Sequence, residues 1–175
     1  KRGDMAAAQT ELQRALAMQQ VLVKNPTVAT EVQPELATTN VNLGLLFSQM
    51  NNRQQAAAHY QAAITIQEAI RQANPESETN LQGLAASYNS LSSLYLPTQV
   101  GSVSTQATAA QKWVERAIGL QIGLVRKFPA RRNYQSDLAL SYNNLGAIHS
   151  RLANFREAEL CYRDAILIQE RLVKI

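Results

Sequence analysis

Cysteine occurs once in the 175 residues, at Cys161, so no internal disulfide can form, and the two histidines, His59 and His149, offer no zinc-ligand spacing. Disulfide-stapled and zinc-organised folds are excluded. Long apolar runs are missing too: Gln, Asn, Ser or Arg interrupts each hydrophobic stretch short of the roughly 20 residues of a membrane span. Charge is sparse, at 17% against roughly 25% in an average soluble protein. Even so, 46% of the residues are hydrophobic and no acidic or Gly/Ser tract appears, so the chain is expected to fold. Alternation of period two is absent, which removes the half-buried β-strand. There is no Gly-rich phosphate loop, dinucleotide fingerprint, zinc-protease motif or calcium loop, and no kinase catalytic loop. The expectation is therefore no catalytic residue, no cofactor and no metal site. The net charge of +4 comes from scattered cations, which argues against a nucleic-acid partner.

Self-similarity is the dominant signal. Ala15-Leu16-Ala17-Met18-Gln19 recurs as Ala63-Ile64-Thr65-Ile66-Gln67, Ala117-Ile118-Gly119-Leu120-Gln121 and Ala165-Ile166-Leu167-Ile168-Gln169, at spacings of 48, 54 and 48. A second anchor, Asn42-Leu43-Gly44, returns as Ser90-Leu91-Ser92 and Asn144-Leu145-Gly146, at spacings of 48 and 54. The six extra residues of the third repeat therefore fall between these anchors, in an inserted loop over 97–105 marked by Pro97 and Gly101. Pro26, Pro75 and Pro129 follow the first anchor at 11 or 12 residues and mark helix ends, because the ring removes an N–H and restricts the preceding residue. Apolar residues between these marks keep helical spacing, as in Leu36, Val41, Leu45 and Leu46, or Leu138, Tyr142, Leu145 and Ile148. The pattern predicts an all-α chain of seven helices, over 4–24, 33–50, 53–73, 78–96, 106–127, 134–151 and 154–173. A repeat is then an antiparallel helix hairpin that must stack on its neighbours to bury its apolar stripe, giving an α-solenoid. One repeat domain is expected over 1–175. It comprises the second helix of repeat 1 (1–26), repeat 2 (27–75), repeat 3 (76–129) and repeat 4 (130–175), read as a piece of a longer chain because Lys1-Arg2-Gly3-Asp4 aligns with the middle of a repeat.

These columns resemble the tetratricopeptide repeat. Leu43-Gly44, Phe47, Ala56, Tyr60 and Ala63 fall at that family's spacing of small and large packing residues, as do Leu145-Gly146, Ala158, Tyr162 and Ala165. In the third repeat Ser92 stands for the glycine and Val114 for the large residue, while Tyr95, Ala110 and Ala117 keep the pattern. The period of 48 instead of the usual 34 is similar to the long repeats of kinesin-light-chain type. The wording of residues 134–146 is also similar to arrays attached to bacterial Ser/Thr protein kinases. The resemblance implies a right-handed solenoid and a non-catalytic module that binds a peptide or partner protein in a concave groove. The alternatives are a regulatory or substrate-docking arm of such a kinase, and a self-assembling scaffold stacked through its terminal repeats. The expected location is the cytoplasm.

In this family the first helix of each pair lines the groove, and an Asn just before the Leu-Gly pair is a frequent ligand contact. Asn42 and Asn144 hold that place and Ser90 departs from it; Asn89 and Asn143 precede them by one residue. Gln49 and Arg151 follow two turns later on the same face. An amide suits an extended peptide because it offers a donor and an acceptor together, and Arg151 can pair a carboxylate or phosphate. The partner-binding set is thus Asn42, Gln49, Asn89, Ser90, Asn143, Asn144 and Arg151.

Other residues have structural readings. His149 shares its column with Phe47 and Tyr95, which reads as a packed position, and His59 shares one with Trp113 and Cys161. Gly119 and Gly123 read as a small pair permitting close helix approach. The cations of Arg126-Lys127-Phe128-Pro129-Ala130-Arg131-Arg132 complement a helix C-terminus or dock an acidic partner.

Overall fold

A computed structural model describes residues 2–96 and 105–173, with the side chains of Arg2 and Gly3 left out. The described residues form seven α-helices, α1 (Arg2–Leu22), α2 (Ala29–Gln49), α3 (Arg53–Ala73), α4 (Glu78–Leu94), α5 (Thr105–Lys127), α6 (Arg132–Arg151) and α7 (Phe155–Val173). They fall into two compact units, Lys1–Asn80 and Leu81–Ile175. Consecutive helices pack as pairs within each unit, α2 on α3 in the first and α6 on α7 in the second. The expected inserted loop of 97–105 lies outside the described residues, save Thr105, which opens α5.

Local chemistry explains the boundaries. Helices α1, α3 and α5 end two to four residues before Pro26, Pro75 and Pro129. Asn74, before Pro75, is driven to φ −138 and ψ 84, outside the helical region. The turn from α2 to α3 is a Schellman closure. The Asn52 N–H donates to the Phe47 carbonyl at 2.8 Å, while Asn51 takes the left-handed φ of 58 that asparagine tolerates. Asn52 then caps α3, its Oδ1 accepting from the Gln55 N–H at 3.2 Å. The same closure recurs between α6 and α7, with Asn154 N–H on the His149 carbonyl at 2.9 Å and Ala153 at φ 63. These two turns, 102 residues apart, are the backbone signature of the repeat.

The largest departure from the expected boundaries is at α2. Helix α2 starts at Ala29 rather than 33, because Asn25 Oδ1 accepts from both the N–H and the hydroxyl of Thr27, at 3.1 and 2.7 Å, turning the chain sharply after Pro26. Pro34 is carried inside the helix. Its φ suits the helix, and both Pro34 and Thr30, whose carbonyl it leaves unbonded, are exposed to water.

The core of the second unit joins Ala110, Val114, Ile118, Leu138, Leu145, Ile148 and Cys161. In the first unit Leu43, Phe47, Ala56, Tyr60 and Ala63 are buried, so the repeat columns are the packing columns. Leu45, placed in the apolar stripe by spacing, is 50% exposed, and the stripe of α2 runs instead through Leu36, Leu43, Leu46 and Phe47. Periodicity gives the helix, but a run of adjacent leucines leaves the buried face open by a residue.

Gly119 and Gly123 are also corrected: a Cβ built on either meets nothing within 4 Å, so neither serves close helix approach. Both lie exposed inside α5. Alanine at each position is expected to raise stability by about 0.5–1 kcal/mol, through the backbone entropy glycine loses on folding. Thermal unfolding of the single and double variants checks this; a fall in midpoint would mean that the glycines serve a contact.

Candidate functional site

A cleft of about 300 Å³ opens in the second unit among α4, α5 and α6. Helix α4 supplies Gln82, Ala86, Asn89 and Ser90, which share one face at spacings of four, three and one. Helix α6 supplies Tyr134, Asp137 and Leu140, likewise one stripe, and α5 closes the cleft with Gln121 and Leu124. Tyr134 and Leu124, each 2% exposed, root it in the core.

The polar side chains are only partly satisfied. Asn89 donates its amide to Ser141 Oγ at 2.7 Å, and the Ser141 hydroxyl donates to the Asp137 carbonyl at 3.0 Å, a chain that ties α4 to α6. Asn89 Oδ1 is buried without a partner. Gln82 Nε2 donates to Asp137 Oδ2 at 3.3 Å. Gln121, 3% exposed, leaves its Oε1 buried and unpartnered. An orphaned buried acceptor costs about 1–3 kcal/mol. The same atom is orphaned in Gln19 and Gln67 of the repeated anchor, so the column presents an unused acceptor in successive repeats, and Gln121 is the member that borders this cleft.

Of the seven residues read as partner-binding, the cleft brings together Asn89 and Ser90. Asn89 offers less than expected, since one N–H of its amide is committed to Ser141. Asn143, Asn144 and Arg151 are half-buried on α6 beyond the cleft lining. Asn42 and Gln49 are exposed on α2 in the first unit, where Gln49 borders a separate hollow of about 440 Å³ with Met5, Ala6, Met50 and Asn51. Gln82, Gln121, Tyr134 and Asp137 were not singled out from sequence as groove residues. Gln121 stood in the repeat anchor, and a position that keeps an amide through four repeats, buried at Gln67 and Gln121, was the available signal.

The titratable residues behave structurally. Burial pushes the Cys161 thiol upward, and the carboxylates of Asp164, Glu115 and Glu157 push the same way, which is the reverse of what a nucleophile needs. His59 stacks on Phe47 at 5.4 Å and places Nδ1 3.0 Å from Asn40 Oδ1, so its proton sits on Nδ1; burial lowers its pKa. His149 is half-buried, with Nδ1 lacking a partner. In the basic cluster Arg132 is tied to the Leu172 carbonyl at the end of α7, and Lys127 lies 5.7 Å from the Phe128 ring. Among the described residues no group of three or more His, Cys, Asp or Glu could hold a metal ion, and no helix is long and apolar enough to cross a membrane.

Tetratricopeptide-repeat family models match residues 37–70 and 138–174. The chain carries tetratricopeptide repeats. The two matches fall on α2–α3 and α6–α7, the hairpins that hold Gly44 with Tyr60 and Gly146 with Tyr162. No curated protein matches the sequence. Among solved structures, the chain is similar to the crystal structure of BtubC (BKLC) from P. vanneervenii, with a TM-score of 0.60 and 22% identity over 95% of this chain. It spans 59% of that chain, and the likeness is one of fold. Tetratricopeptide repeats are in general protein-interaction modules, typically without catalysis.

Proposed function

We propose that this chain is a non-catalytic interaction module that binds an extended segment of a partner protein, and that the α4–α5–α6 cleft is part of its groove. The observation that carries this reading is a cleft on tetratricopeptide helices bordered by two buried acceptors, Asn89 Oδ1 and Gln121 Oε1, that nothing in the described residues satisfies. A peptide backbone or side chain supplies the missing donors. Asn143, Asn144 and Arg151 on α6 are proposed as further contacts in the second unit, and Asn42 and Gln49 on α2 as contacts in the first.

Selection of a random peptide display library on the 175-residue chain tests the reading. Enriched peptides are expected to lose at least tenfold in affinity, by calorimetry, on Ala86→Arg, which fills the cleft from an exposed position, while the unfolding midpoint stays within about 2 °C. Loss on Asn144→Ala would extend the groove beyond the cleft within the second unit, and loss on Asn42→Ala would add a contact in the first. Peptides indifferent to Ala86→Arg would remove the cleft from the groove.

Self-association is the second reading, favoured by apolar side chains left open on α7, with Ile166 52%, Leu167 45% and Val173 85% exposed. Light scattering over a concentration series decides it, since a constant mass would end the idea. A kinase-docking role rests on the wording of residues 134–146 alone.

A further inference from the structure

We infer that the cleft of the second unit receives one cationic side chain, lysine or arginine, from the bound segment. The inference rests on the groove reading above and names what fills the cleft. Three of its lining residues carry acceptors, and none is matched by a cation among the described residues. Gln121 Oε1 is buried and unpartnered, Asn89 Oδ1 is left over after its amide has bonded Ser141, and the Asp137 carboxylate holds only a long contact to Gln82. No Lys or Arg lines the cleft, and Asp137 forms no ion pair among the described residues. The rest of the lining is Ala86, Leu124 and Leu140, which are apolar, with Ser90 and Tyr134.

A long apolar stem ending in a head that only donates fits this set: Lys brings three N–H groups, Arg five, and neither accepts. An aliphatic side chain would leave every acceptor unmatched. A carboxylate would be repelled by the Asp137 carboxylate in the same lining. A volume of about 300 Å³ holds one large side chain. A cation placed beside a partly buried carboxylate also gains more than one in open water.

Peptides enriched on the 175-residue chain are expected to share a Lys or Arg at one position. Synthetic copies with norleucine for that Lys, or citrulline for that Arg, are then titrated against wild type, Asp137→Asn and Gln121→Met, each first checked for native unfolding. Neutralising the cation is expected to weaken binding at least tenfold on wild type and less than twofold on Asp137→Asn. Gln121→Met, which keeps the volume and removes the acceptor, gives an independent reading if Asp137→Asn unfolds. Enriched peptides with no recurring cation, or a cation whose loss both variants feel as strongly as wild type, would overturn this inference and leave the groove standing. Peptides that ignore Ala86→Arg would overturn the groove reading and this one with it.

Discussion

Gly44→Ala is expected to cost about 2–3 kcal/mol, while Gly146→Ala in the same repeat column costs about 1 kcal/mol or less. Both glycines give a tyrosine room. A Cβ on Gly44 would stand 2.7 Å from Cδ1 and Cε1 of Tyr60, and a Cβ on Gly146 would stand 2.7 Å from Cε1 of Tyr162. The contacts match, but the freedom to relieve them does not. Tyr60 is 3% exposed and wedged into the core, so its ring cannot retreat and α2 must move off α3; Tyr162 is 38% exposed and can swing outward. The third repeat shows how the same site works without glycine. Ser92, 1% exposed, donates its hydroxyl to the Ala110 carbonyl at 2.8 Å, and the position opposite is Val114 rather than tyrosine. Gly44→Ser combined with Tyr60→Val is therefore expected to recover about 1–2 kcal/mol relative to the sum of the single changes. Denaturant unfolding of the four proteins measures this coupling, and equal losses at Gly44 and Gly146 would show that exposure of the tyrosine is irrelevant.

Gly44 and Ser92 show what could be read from sequence. The column alignment identified which residues are equivalent, because repeats must bury the same stripe, and the prolines marked the ends of α1, α3 and α5 because a pyrrolidine ring acts locally. What failed depended on neighbours. The second helix was expected from residue 33, yet the Asn25–Thr27 turn opens α2 a turn earlier. Gly119 and Gly123 looked like contact residues, yet contact is a property of the facing surface, and none faces them. The first-helix reading includes Asn89 and Ser90, which line the cleft. Asp137 also sits on a first helix, seven residues before Asn144, and was within reach of the same rule; Gln121 was not, because it comes from the second helix of its pair, whose approach no single periodicity records.

The column of His59, Trp113 and Cys161 had a counterpart that spacing alone did not expose: Asn40, Tyr88 and Tyr142, 48 and 54 residues apart. The two columns meet through different chemistry in successive hairpins. Asn40 bonds His59; Tyr88 stacks on Trp113 at 5.5 Å and 17°; Tyr142 packs against the cluster that holds Cys161, its hydroxyl pKa pushed upward by burial, then by Asp164 and Cys161. Tyr88 is 1% exposed and the largest fully buried side chain, and Arg116 lies over both rings, at 5.8 Å from Tyr88 and 5.2 Å from Trp113. Tyr88→Ala is expected to cost about 3–5 kcal/mol, as truncating a buried aromatic leaves a cavity as well as lost contact. Arg116→Ala, an exposed cation over the stack, is expected to cost about 0.5–1 kcal/mol. Trp113 is the one tryptophan in the sequence and touches the mutated ring, so its fluorescence follows unfolding of the second unit directly. A Tyr88→Ala midpoint within about 1 kcal/mol of wild type would mean the neighbouring helices close over the gap, and the stack would then be a filler of space and not the anchor of its hairpin.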